Sequence, residues 1–196
     1  MNKILLLSNN DNVKPLYEWL NERYDVALFH EPLTVDIITA ISPDLVISYN
    51  YHHIVKEDVL NIMGDRIINM HISYLPWNKG ADPNIWSFID DTPKGVTIHR
   101  MEKGCDTGKI IFQKQITFDE SKETLYSTYS KLHKEIVNLL IEKWDDIRTF
   151  NYTLKDQDGL GSSHRTSDLV SLLKGRSIDY SMTIKEFKKF ISTGDN

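Results

Sequence analysis

Three polar side chains carry most of the chemistry in this sequence. Asn69 and His71 lie in the run Asn69-Met70-His71-Ile72-Ser73-Tyr74-Leu75-Pro76, and Asp106 lies in the glycine-flanked run Gly104-Cys105-Asp106-Thr107-Gly108. An amide N–H donates to a carbonyl oxygen that gains charge as its carbon becomes tetrahedral, and losing one such donor costs about two to three orders of magnitude in rate. An imidazole that titrates near neutral pH moves a proton to or from an attacking amine or a leaving nitrogen. A carboxylate beside it favours and orients the imidazolium, or holds a water that relays protons. The set suits transfer of a carbonyl-bearing group to an amine. Each residue also has a plainer reading. Buried Asn and His at a strand end are often hydrogen-bonded structure, and Asp between glycines is often turn chemistry.

The surrounding pattern supplies the elements that must position them. Ile4-Leu5-Leu6-Leu7 is short and wholly apolar, as a parallel strand buried on both faces is. A helix is expected from about Val13 to Arg23, with Pro15 in its first turn. Strands follow at 24–29, 45–48 and 66–71, separated by helices at 36–41 and 57–63. That alternation means βαβ units and a mostly parallel central sheet flanked by helices, an α/β fold. Residues two apart on a strand share a face, so Asn69 and His71 point the same way at an edge where open α/β sheets bind ligands.

Beyond His71 the texture changes. Residues 73–83 hold two prolines, a glycine and polar residues, a loop long enough to suspect function. A short helix at 84–89, strands at 95–99 and 110–118 and a tight turn at 104–108 follow. The apolar stripe Leu125, Tyr129, Leu132, Ile136, Leu140, Trp144 and Ile147 predicts one long helix over 122–150. Residues 156–163 read as a linker or ordered arm, and 166–173 and 183–191 as two short helices. The division expected is a catalytic domain at 1–154 and a C-terminal helical extension at 155–196 that packs on the core or on a dimer partner, being too short for a core of its own.

Composition excludes several classes. The chain has 196 residues, 23 Lys plus Arg, 28 Asp plus Glu and a net charge of -5, which argues against a nucleic-acid surface. One cysteine permits no internal disulfide and fits a reducing compartment. The apolar run at 4–7 is too short for a signal peptide, and no run is long enough to span a bilayer, so a cytoplasmic location with no membrane partner is expected. Seven His, including His52 and His53, raise the idea of a metal, but no zinc-site spacing appears and none is expected. Cys105 has no assignable base and is not expected to act as a nucleophile.

Asn69-x-His71-x-Ser73-x-Leu75-Pro76, then Gly80, Gly95-Val96-Thr97-Ile98-His99 and Gly104-x-Asp106-Thr107-Gly108 with Ile110-Ile111-x-Gln113 resembles the 10-formyltetrahydrofolate-dependent formyltransferase family. The match runs from about Asp44 to Gln113. Ile72 stands where many members carry proline. The resemblance implies a Rossmann-like formyltransferase fold, no metal, and Asn69, His71 and Asp106 as the catalytic trio: Asn69 on the formyl oxygen, His71 moving protons, Asp106 tuning His71. It implies 10-formyltetrahydrofolate as formyl donor, bound by Tyr51, His53, Ile54, Met101 and Gly104. The segment from Tyr74 to Asn84 and the short C-terminal arm are most similar to the sugar N-formyltransferases of the dTDP-4-amino-4,6-dideoxyglucose type. The implied substrate is a nucleotide-linked amino-dideoxy sugar for surface polysaccharide synthesis, in a homodimer; Asn9, Trp77, Lys79 and Asn84 are nearby candidates to contact it, each with a solvated or structural reading beside that one. Glycinamide ribonucleotide is the alternative amine, although the loop Ser8 to Asn12 has no glycine with which to cradle its phosphate. A non-catalytic folate or nucleotide-sugar binding module is the other alternative.

Overall fold

In the computed structural model, residues 1–193 are described; the last three residues of the expected C-terminal extension lie outside them. The central sheet has six strands in the order β2-β1-β3-β4-β6-β7. Strands β1 (Lys3–Leu7), β2 (Asp25–Phe29), β3 (Leu45–Tyr49) and β4 (Ile67–His71) are mutually parallel; β6 (Gly95–Arg100) runs antiparallel to β4, and β7 (Ile110–Gln115), antiparallel to β6, returns to the direction of the first four. The helices α1 (Lys14–Asn21), α2 (Val35–Ile41) and α3 (Glu57–Met63) make the crossovers that parallel strands require. A one-turn 3-10 helix at Asp11–Val13 leads into α1, with Asn10 accepting from the Asn12 N–H at 2.9 Å.

Strand parity sorts the core. Ile4 and Leu6 face one side with Leu16 and Leu20 of α1 and Leu132, Ile136 and Leu140. Leu5 and Leu7 face the other with Ile38, Val59 and Met63. Because β1 is buried on both faces, an apolar run with no alternation is the pattern its position demands.

The long helix expected over 122–150 divides. Its main part, α5 (Leu125–Glu142), starts one residue after Thr124, whose hydroxyl accepts from the Ser127 N–H while the Ser127 hydroxyl takes the Thr124 N–H. That reciprocal cap ends the helix on its N-terminal side and leaves 122–124 outside it. At Lys143 the backbone departs from helical values (φ -97, ψ 10), and α6 (Trp144–Arg148) begins. The bend turns Trp144 edge-on to Trp19 and Tyr24, where its indole N–H donates to the Tyr24 hydroxyl at 2.8 Å. Trp144 and Ile147 remain buried, so the apolar stripe continues through the break.

Two segments expected to be irregular pair with each other. The loop after β4 contains β5 (Lys79–Gly80), which lies parallel to β8 (Ser163–His164) in the supposed linker. Gly80 adopts φ +86, and a Cβ there would stand 2.3 Å from the His164 carbonyl oxygen, so only glycine allows the pairing. Beyond β8, α7 (Thr166–Leu173) and α8 (Ile184–Ser192) bury Leu169, Ile184 and Phe187 against Phe88 of α4 (Pro83–Ile89) and Leu125 of α5. No described helix is long and apolar enough to cross a membrane.

Candidate functional site

Strand register builds the first half of the site. Asn69 of β4 stands opposite His99 of β6, and His71 opposite Thr97. Cross-strand partners share a face, so Asn69, His71 and His99 converge. The connection at residues 101–109 leaves β6 level with the start of β4 and folds back over this face. Arg100 and Lys109 close it with a 2.9 Å backbone bond. A Cβ on Gly108 would stand 1.9 Å from the Arg100 carbonyl oxygen, so the close approach needs glycine. Asp106, in the left-handed region at φ 53, is carried over the strand by this return.

Asp106 is the hub. Its Oδ1 accepts from the Asn69 amide at 3.1 Å and lies 3.4 Å from His99 Nε2. Its Oδ2 accepts from the Gly80 N–H at 2.9 Å and lies 3.7 Å from His71 Nδ1. The last distance is too long for a hydrogen bond but short for a charge interaction. Burial alone would raise the Asp106 carboxyl. The imidazoles of His71 and His99 and the Gly80 N–H outweigh burial and hold it well below the usual carboxylate range. Gln157, from the C-terminal arm, donates to the carbonyls of Asp106 at 2.8 Å and Gly108 at 2.7 Å, locking the turn from outside.

His71 is buried and its ring is fixed. Nε2 donates to the Asn78 carbonyl at 3.0 Å, which leaves Nδ1 facing Asp106. Asn78 is itself held at φ 54 by Thr92, which accepts from its amide at 2.8 Å, and by Ser162, whose hydroxyl takes its N–H at 2.8 Å. His99 Nδ1 donates to the Arg100 carbonyl at 2.7 Å, so in the neutral ring Nε2 accepts from Asn69 at 3.2 Å.

Two cavities meet at this cluster. One, of about 380 Å³, is walled by the loop after β3 and the 101–109 connection; Tyr51, His53, Ile54, Met101 and Gly104 all line it, with Asn69 and Asp106 at its floor. The other, of about 430 Å³, is lined by Asn10, Gly80, Asp82, Tyr129 and Thr166, again with Asn69 and Asp106 and now with His71. Among the described residues lining these two cavities, Asn9, Trp77 and Lys79 are absent. Asn9 clamps two loops, donating to the His30 carbonyl at 2.8 Å and accepting from the His52 N–H at 3.0 Å. Trp77 donates its N–H to the Tyr74 carbonyl at 3.2 Å, and Lys79 donates its own to the Ser162 carbonyl at 2.9 Å. Asn84 is buried between α4 and α5, donating to the Leu125 carbonyl at 3.1 Å, and lines an adjoining cavity. Cys105 borders both cavities, and burial, with Asp106 beside it, pushes its thiol up to about 11, where it is a poor nucleophile. Among the described residues no group of three or more His, Cys, Asp or Glu is placed to hold a metal ion.

Sequence reasoning missed His99, Asn78 and Gln157. For His99 a signal existed: Gly95, Thr97 and His99 share a strand face by alternation. For Asn78 and Gln157 none did, since their roles come from contacts with segments 84 and 51 residues away.

The comparisons with known proteins agree with this fold. A solved formyltransferase, PseJ from Anoxybacillus kamchatkensis, in complex with UDP-4,6-dideoxy-4-formamido-L-AltNAc and tetrahydrofolate, is 38% identical, with a TM-score of 0.86 over 94% of this chain and 97% of that one. A likely sugar N-formyltransferase from Mycobacterium tuberculosis, Rv3404c, is 27% identical at a TM-score of 0.79, covering 93% of this chain and 82% of that one. Methionyl-tRNA formyltransferase of Geobacter sulfurreducens is 30% identical over 167 residues, 76% of this chain. This chain spans about half of that relative's length, 53%. The bifunctional polymyxin resistance protein ArnA of Wigglesworthia glossinidia brevipalpis is 38% identical over 99 residues, which is 50% of this chain and 15% of ArnA. The model of the formyl transferase family matches residues 6–143, a span that contains Asn69, His71 and Asp106, and the chain belongs to that family.

Proposed function

We propose that this protein transfers a formyl group from 10-formyltetrahydrofolate to the 4-amino group of a nucleotide-linked 4-amino-4,6-dideoxy sugar. The observation that carries this reading is the meeting of two separate cavities at one amide, one imidazole and one ionised carboxylate. A transfer between two molecules needs two pockets with the reacting groups held at their junction. The cavity lined by Tyr51, Ile54 and Met101 is a mostly apolar slot that suits a flat pteridine. The cavity lined by Asn10, Asp82 and Thr166 offers polar groups that suit a sugar. The formyl donor, when bound, supplies an electrophilic carbonyl carbon.

This chain's own residues then have distinct tasks. The Asn69 amide donates to the formyl oxygen as charge develops there, giving up its bond to His99 to do so. His71 Nδ1 takes a proton from the sugar amine as the new C–N bond forms, and the departing folate nitrogen recovers a proton as its own C–N bond breaks. Asp106 stays ionised and stabilises the imidazolium. The 38% identity to a protein solved with a UDP-linked sugar favours uridine over the thymidine expected from sequence. The loop at Ser8–Asn12 supports a sugar over glycinamide ribonucleotide, since it folds on itself through mutual Ser8 and Asn10 contacts and presents no glycine. A cytoplasmic homodimer that supplies surface polysaccharide assembly completes the reading; sedimentation of the purified chain tests the dimer.

The test is an assay of purified protein with 10-formyltetrahydrofolate and three amines: UDP-linked and dTDP-linked 4-amino-4,6-dideoxy sugars, and glycinamide ribonucleotide. Mass spectrometry of the product should show formylation of a nucleotide sugar, fastest with the uridine form. Formylation of glycinamide ribonucleotide alone, or of none of the three, would defeat the reading.

A further inference from the structure

Formyl transfer makes two proton demands at the junction of the two cavities. The attacking amine loses a proton, and His71, which lines only the cavity assigned to the amine, is placed to take it. The folate nitrogen gains a proton as its bond to the formyl carbon breaks, because a nitrogen that leaves as an anion leaves very slowly near neutral pH. The donor of that second proton has to reach the folate side at the point of transfer. That places it on the wall common to both cavities, which consists of Tyr51, His52, Asn69, Cys105 and Asp106.

Four of these five are unsuited to the task. The Asn69 amide does not ionise. Asp106 has no proton to give, because burial is outweighed there by the imidazoles of His71 and His99. Burial, with Asp106 beside it, pushes the Cys105 thiol up to about 11, far from the near-neutral range in which a general acid works best. The Tyr51 hydroxyl is spent on the backbone: it donates to the Glu31 carbonyl at 2.5 Å and accepts from the Leu33 N–H at 3.0 Å, and burial raises it further. His52 is left. Its N–H donates to Asn9 Oδ1 at 3.0 Å, which anchors the main chain of this loop, while its exposed ring has no hydrogen-bond partner among the described residues. The neighbouring imidazoles are committed. His53 Nε2 donates to the His30 carbonyl at 3.1 Å, His99 Nδ1 donates to the Arg100 carbonyl at 2.7 Å, and neither ring lines the second cavity.

We infer that His52, as an imidazolium on the wall shared by the two cavities, is the general acid that protonates the departing folate nitrogen. The inference rests on the two-cavity reading above and on no particular amine. The amine lone pair forms the new bond to the formyl carbon, and the carbonyl pair moves to the oxygen held by Asn69. His71 takes the proton that the amine sheds. The carbonyl then re-forms, the old C–N bond breaks with its pair returning to the folate nitrogen, and the His52 proton lands on that pair. His52, exposed at the cavity mouth, takes its next proton from the solvent into which His71 releases its own, so protons balance over the cycle. The ionisable groups that face His52 from other elements are Glu102 and Asp106 of the 101–109 connection, Asp82 before α4 and Tyr129 of α5. Among the described residues no Lys or Arg lines either cavity, so no fixed positive charge stands against an imidazolium there.

The experiment is the single-turnover rate of formyl transfer against pH for the wild-type protein and His52→Gln, with the amine that the wild-type protein formylates fastest, and with tetrahydrofolate binding measured alongside. A base that works neutral loses activity as pH falls, and an acid that works protonated loses it as pH rises, so the wild-type profile should be a bell. In His52→Gln the rate at the optimum should drop about a hundredfold and the alkaline limb should vanish, while the acid limb and tetrahydrofolate affinity hold. An unchanged rate, or a lower rate that keeps both limbs, overturns the inference and leaves the two-cavity reading standing. Loss of tetrahydrofolate binding in the variant also overturns it, since the ring would then serve binding. A wild-type protein that formylates no amine overturns the two-cavity reading and the acid with it.

Discussion

The two cavities that meet at Asn69 and Asp106 are built in opposite ways. The one walled by Tyr51, His53, Ile54, Met101 and Gly104 draws on two local segments, the loop after β3 and the connection after β6. The other draws on Asn10, Gly80, Asp82, Tyr129 and Thr166, which span most of the chain. On the proposed reading, the donor side is thus a property of the βαβ framework, while the acceptor side depends on the C-terminal arm pressed onto the loop after β4 through β5 and β8. A family that keeps one donor and varies its amine would vary the second side with little cost to the first, because the two share only Tyr51, His52, Asn69, Cys105 and Asp106.

That contrast can be broken at its junction first. Replacing His71 with Ala removes the proton carrier, and turnover should fall by about two to four orders of magnitude. Binding of tetrahydrofolate should be unaffected, because His71 borders only the acceptor cavity. A stopped assay with folate titration checks both halves. Asn69→Ala, at the floor of both cavities, should lower kcat by about two to three orders of magnitude. Circular dichroism melting would show whether the fold survives, as it should when a half-buried polar side chain is trimmed.

The acceptor side should also be the more sensitive to acid. His133 lies beneath Tyr129, their rings edge-on at 4.2 Å, and its Nδ1 meets the Tyr49 hydroxyl at 2.5 Å. Burial pushes the His133 ring down to about 4, against about 6.5 for an unfolded histidine. The fold therefore favours the neutral ring. The stability is fully present above pH ~6.5 and is lost as pH falls toward about 4, a loss on the order of 2–3 kcal/mol. Denaturant titrations at several pH values should show a steeper loss in this window for the wild-type protein than for His133→Asn. Equal slopes would assign the acid sensitivity to other groups.

The smallest effect expected is at the strap. Gln157→Leu removes two hydrogen bonds to the Asp106 turn and should cost about 1–2 kcal/mol of stability. If the arm positions Asp106, kcat should fall with it; an unchanged kcat would show the strap to be structural alone.

The same asymmetry governs what could be read from sequence. The parallel strands were legible because both-face burial leaves uninterrupted apolar runs such as Ile4 to Leu7. Asn69 and His71 were legible because strand parity is local. The single helix over 122–150 was misread because Trp144 and Ile147 stay buried beyond the break at Lys143, so periodicity alone carries no trace of it. The pairing of Gly80 with His164 was hidden because two-residue strands have no period. Asn78 and Gln157 were hidden because neither has a motif around it; they act through contacts that only the closed chain makes.

The central claim is that two separate pockets deliver donor and amine to one junction. The most direct test is a crystal structure with tetrahydrofolate and a UDP-linked 4-amino-4,6-dideoxy sugar bound together. The expected result has the pteridine between Tyr51 and Met101, the sugar beside Thr166, and the amine within reach of both Asn69 and His71. Both ligands in one pocket, or an amine far from His71, would contradict the account.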